Sequence, residues 1–178
     1  MGVLAGLEQV VAALEATVAG LEPAVLSGGD AATLVAVFTR GERLCAAGKA
    51  LAARRVAETR VWCAEGERSA AHWLARRSGT TLGAAAAALE TVERLDDLAV
   101  TGEAFRSGRL SEVQAREIAS VAAGHPEAEA GLVAQAESDT VAGLRLACRQ
   151  VAATSGVDEV SRERAIHRGR STTSRSKT

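Results

Sequence analysis

Aromatic side chains are nearly missing from this chain: two tryptophans, two phenylalanines and no tyrosine make up 2% of its 178 residues. Apolar residues still reach 47%, so alanine supplies much of the apolar content. Alanine favours helix strongly but buries little area per residue. The composition therefore excludes a densely packed interior and predicts long helices around a thin core, in an elongated bundle of modest stability.

A surplus of either charge is lacking too. The formal net charge of -1 excludes a global basic field that would draw in nucleic acid. The charge is unevenly spread, however. Residues 1–30 carry Glu8, Glu15, Glu22 and Asp30 with no Lys or Arg, whereas residues 162–178 carry Arg162, Arg164, Arg168, Arg170, Arg175 and Lys177 against Glu163 alone.

Cysteines are few and odd in number. Cys45, Cys63 and Cys148 form no C-x-x-C pair, so neither a disulfide framework nor a zinc site is expected, and free thiols in a reducing cytoplasm are the simplest reading. The N-terminus has no basic region and no run of strong apolar residues, hence neither a signal peptide nor a membrane span. Motifs for chemistry are absent as well: no G-x-S-x-G, Walker loop or G-x-G-x-x-G occurs. His72, His125 and His167 are far apart and in no metal-ligand spacing. Cys63, near Trp62 and Glu65, has no histidine nearby and reads as a packed thiol. The expectation is a cytoplasmic protein that is not an enzyme, with no catalytic, cofactor-binding or metal-binding residue, no cofactor and no small-molecule ligand.

What is present is helical rhythm. Leu4, Leu7, Val11, Leu14, Val18 and Leu21 recur at alternating steps of three and four, up to Pro23 and the Gly28-Gly29 pair. With Asp30 as cap, the rhythm returns in Leu34, Val37, Gly41, Leu44, Gly48 and Leu51. Two matched seams around a glycine turn predict an antiparallel helical hairpin over 1–64. Pairing of the same seam between chains, as a homodimer, is the alternative. Gly41 and Gly48 each cost roughly 1 kcal/mol of helix propensity, which close approach by the opposing helix would offset. Glu8, Glu15 and Glu22 form a solvated row.

Residues 66–123 carry three helix starts. Ser69 caps AAHWLARR, which Gly79 ends. Thr80 or Thr81 caps the next helix, and Ser111 with Gln114 makes a capping box. The two helices around Ser78–Thr81 have helix-turn-helix spacing, with Arg76 and Arg77 placed to contact phosphate. The second of them offers LGAAAAALE followed by Glu93, Asp96 and Asp97, a poor surface for reading base edges. A structural hairpin is favoured there.

Gly66, Ser69, Trp73-Leu74-Ala75, Ser78-Gly79, Leu95, Leu98, Ala104-Phe105, Gly108-Arg109-Leu110-Ser111 and Ile118-Ala119 resemble the 13E12 repeat family of high-GC bacteria, or domain of unknown function 222. The resemblance runs from about Leu34 to about Arg170. It implies an all-α domain that stands in front of a C-terminal HNH endonuclease, with DNA as the partner and a scaffolding or DNA-positioning role. RERAIHRGRS resembles the family's entry into its next part, but the chain then reads STTSRSKT. By this likeness the nuclease half is missing.

The expected architecture is a single all-α helical domain over 1–168. It comprises the hairpin, the short helices of 66–123 and further helices over 126–168, the last turn or two spanning Asp158 to His167, with a disordered basic tail over 169–178. Leu34, Leu44, Leu51, Trp73, Leu74, Leu89, Leu95, Leu110 and Ile118 are the expected core. Arg76, Arg77, Arg168, Arg170, Arg175 and Lys177 are the nucleic-acid contact candidates. The tail reads either as a phosphate-contacting arm or, preferably, as a solvated terminus. No membrane partner is expected.

Overall fold

A computed structural model describes residues 2–154. The expectations for Arg168, Arg170, Arg175, Lys177, His167, the helix over 158–167 and the tail lie outside the described residues. Among those described, all regular structure is helical, as the composition predicts. The elements are α1 (Val3–Ala19), a 3-10 turn (Pro23–Val25), α2 (Gly28–Thr59), α3 (Val61–Ala64), α4 (Ala70–Ser78), α5 (Leu82–Arg94), α6 (Ala99–Arg106), α7 (Glu112–Ala122), a second 3-10 turn (Pro126–Ala128) and α8 (Glu129–Ser138). A further helix, α9, covers 141–154. No helix among the described residues is long and apolar enough to cross a membrane.

The chain divides into two compact units, Met1–Thr39 and Arg40–Thr178, a boundary inside the stretch expected as one hairpin. In the first unit α1 stops at Gly20, ahead of Pro23. Ser27, not Asp30, caps α2: its Oγ accepts from the Asp30 N–H at 3.1 Å and donates to the Asp30 carboxylate at 2.7 Å. The seam expected to be buried is open. No residue of α1 is buried, and Leu4, Leu7, Val11, Leu14 and Val18 are 44–77% exposed.

In the second unit the local signals hold. Ser69 accepts from the His72 N–H and Thr81 from the Ala84 N–H. Ser111 and Gln114 form the full capping box. Gly79 ends α4 in the left-handed region that only glycine enters freely. Arg60, also left-handed, ends α2 before Trp62, so α2 does not continue to Ala64.

The core gathers around α7, which packs on α5, α6 and α8. Leu95, Leu98, Phe105, Leu110, Ile118 and Leu144 are all but fully buried. Ten of the 21 buried apolar residues described are alanines, so each helix approaches closely but removes little apolar area from water. A smaller cluster joins Ala53 of α2 to Leu74, Ala85 and Ala88 of the α4–α5 pair.

Of the expected core residues, Leu74, Leu95, Leu110 and Ile118 are buried. Leu34, Leu51, Trp73 and Leu89 are only half-buried. Leu44 is a correction: it is 42% exposed and rests against Gly108. Gly41 and Gly48 are corrections too, because a Cβ at either would meet nothing within 4 Å. At these two positions no contact at an added Cβ offsets the cost in helix propensity.

The Gly108-Arg109-Leu110-Ser111 run has a physical account residue by residue. Gly108 takes a φ of +71°, Leu110 plugs the core and Ser111 starts α7. The Arg109 guanidinium donates to Glu137 of α8 at 2.7 Å and to Ser107 at 3.1 Å. Its carbonyl accepts from Arg43 of α2 at 2.9 Å. The motif is a joint between helices.

Candidate functional site

Two features of this chain invite a functional reading, one in each unit. The first is the corner before and along α4. Its last turn carries Arg76 and Arg77, well placed to complement the helix C-terminus. Arg76 Nη1 donates to Glu67 at 2.8 Å and Arg77 Nη2 to Glu65 at 2.8 Å. The Arg77 guanidinium also lies 5.5 Å from the centre of the Trp73 ring, within cation–π range. These five side chains line an open cleft of about 230 Å³.

Electrostatically the cleft is neutral, with one carboxylate for each guanidinium. The Arg77 guanidinium, and after it the Trp73 indole, hold the Glu65 carboxyl below the ordinary carboxylate range, while Glu67 raises Arg76. The Trp73 Nε1 is itself buried without a partner in hydrogen-bond geometry, so its influence on Glu65 is that of a nearby dipole. An incoming phosphate would have to displace both carboxylates. Arg76 and Arg77 are therefore spoken for within the fold.

The α4–α5 pair does have helix-turn-helix spacing, yet α5 offers little to a base edge. Arg94 is its sole cation and is tied to Glu90 at 2.6 Å, beside exposed Glu93. Asp96, just beyond α5, bonds Arg54 of α2, which keeps the Asp96 carboxyl below its ordinary range. The sequence reading missed Glu65 and Glu67 as partners of the two arginines. They lie 12 and nine residues away across a turn, outside the i,i+4 spacing that makes helical pairs legible.

The remaining residues singled out for chemistry are dispersed. His72 Nδ1 lies 2.9 Å from Ser69 Oγ, at its own helix start. His125 opens the turn before α8, with Nδ1 3.6 Å from Glu127. Cys45 is exposed, and so is Cys63, which corrects its reading as a packed thiol, while burial pushes the Cys148 thiol upward. Among the described residues no three His, Cys, Asp or Glu side chains are grouped to hold a metal ion.

The second feature is the face of α1. Seven large aliphatic residues, Val3, Leu4, Leu7, Val10, Val11, Leu14 and Val18, stand 44–90% exposed on this 17-residue helix. Monomeric proteins rarely leave a contiguous apolar strip of this kind in water, and such strips mark contact surfaces. Glu8 and Glu15 flank it on one side, and no cation precedes Arg40. In comparisons with known proteins, no family model, no curated protein and no solved structure matches the chain.

Proposed function

We propose that this chain is a non-catalytic scaffold: a helical bundle that carries an apolar helix for assembly and positions other modules instead of acting on a substrate. The observation that carries this reading is the exposed aliphatic seam of α1, none of whose residues is buried. The scattered histidines and the internally paired arginines of α4 favour it over catalysis and over direct DNA reading. The resemblance to the helical domain in front of HNH nucleases supports the same role, with DNA as the eventual partner of the assembled complex.

The test is incubation of the purified chain with supercoiled plasmid and Mg²⁺, Mn²⁺ or Zn²⁺. Intact plasmid is expected, and nicking that follows the protein through purification would overturn the reading. A second reading, direct DNA association, is favoured by the basic run from Arg162 to Lys177. It expects weak binding that falls steeply with salt, with a shallower slope once Arg168, Arg170, Arg175 and Lys177 are removed. Unchanged affinity after deletion of residues 168–178 would discard it.

A further inference from the structure

The seam of α1 has a residue order that selects its own occupant. With Leu4, Val11 and Val18 at heptad position a, the d positions fall on Leu7 and Leu14. Two of the three a residues, Val11 and Val18, are β-branched, and β-branched residues at a with leucine at d favour a two-stranded parallel pair, because the two positions pack with different geometry across a dimer seam. The flanking positions agree. Glu8 and Glu15 fall at e, whereas Val3, Val10 and Thr17 fall at g.

In a parallel pair each e position faces a g position of the other helix, so Glu15 lies against Val10 and its methylene stem covers the apolar seam. An antiparallel pair would set e against e and bring the glutamates together. Charge thus separates the two arrangements. We propose that α1 pairs in parallel and in register with α1 of a second copy of this chain. The proposal rests on the assembly reading above and names its partner.

The pair is weak by construction. Two helices of this length bury on the order of 1,000 Å² in total, the lower end for a specific interface. Gly6 lies within the helix at outer position c, where it lowers propensity without touching the seam. A reversible, concentration-dependent dimer fits an interface at that lower end.

Sedimentation equilibrium of the full chain from about 10 μM to about 1 mM tests this. The expected result is a monomer–dimer equilibrium that Leu14→Lys abolishes, while the tryptophan-monitored melting of the dilute protein stays unchanged. Orientation is read from Val10→Lys against Val10→Gln. A parallel pair gains two g–e′ ion pairs and should bind about three- to fivefold more tightly with lysine at low salt, the gain vanishing at high salt. Monomer mass throughout, a dimer indifferent to Leu14→Lys, or weaker pairing with lysine than with glutamine would each overturn the proposal. Monomer mass would leave the non-catalytic reading standing, and plasmid nicking by a dimer would leave the pairing standing, so the two failures are distinct.

Discussion

A methyl group added at Gly48 meets nothing within 4 Å, whereas one added at Gly108 meets Leu44 Cγ at 2.9 Å on a backbone with φ of +71°. The two glycines serve different ends. Gly48 sits in the middle of α2 with no steric reason to be there, and Gly48→Ala should stabilise the fold by about 0.5–1 kcal/mol. Gly108→Ala combines a left-handed backbone with a clash, and should destabilise by more than about 1 kcal/mol. Urea titrations of both variants read the signs directly. At this scale the sequence is legible where a side chain acts on its own backbone. Ser69, Gly79, Thr81 and Ser111 were all readable for that reason. It is silent on space: nothing in the string around Gly48 tells that a methyl group added there would touch nothing. Nor does anything around Arg76 and Arg77 tell that a turn folds Glu67 and Glu65 back onto them.

Elements depend on one another in ways that caps alone do not reveal. The eight-residue α6 follows Leu98, which gives it no side-chain cap. Its acceptor comes from α8: the buried Glu129 carboxylate accepts from the Thr101 N–H at 2.7 Å and from its hydroxyl at 2.8 Å. A carboxylate at a helix N-terminus satisfies an orphan donor and meets the positive end of the helix dipole. Glu129→Ala should therefore cost about 2–3 kcal/mol, and Glu129→Gln, which keeps one acceptor oxygen, about half as much, both measured by chemical denaturation. Gln114 adds a similar tie, donating from Nε2 to the Ala136 carbonyl at 2.6 Å while completing its own capping box. The capping box was foreseeable because its partners are three residues apart. The Glu129 contact spans 28 residues, and no local pattern announces it. The heptad of α1 shows the converse. Its period fixes which residues share a face, but not whether that face finds a partner within the chain.

For the whole molecule, the paired carboxyls set the response to acid. Glu58, Glu65, Asp96 and Asp139 all have folded pKa values lowered by their partners: Arg55 then Arg54, Arg77 then Trp73, Arg54, and the Thr140 N–H then Gln135. Lowered carboxyls contribute stability that is complete above the unfolded value and is lost as pH falls through the folded ones. Melting temperature should thus hold steady from neutrality to about pH 5 and decline below about pH 4. Because these pairs are exposed, the decline should be shallow and weaker in high salt. The all-α class was legible from alanine abundance together with the three-and-four period, which allow little else. The division at Thr39 and Arg40 was not, because both halves share the same rhythm. One last consequence concerns synthesis. The ribosome delivers α6 before Glu129 exists, and so short a helix does not persist alone. The bundle must wait for α8, while α1 has already emerged with its aliphatic face bare.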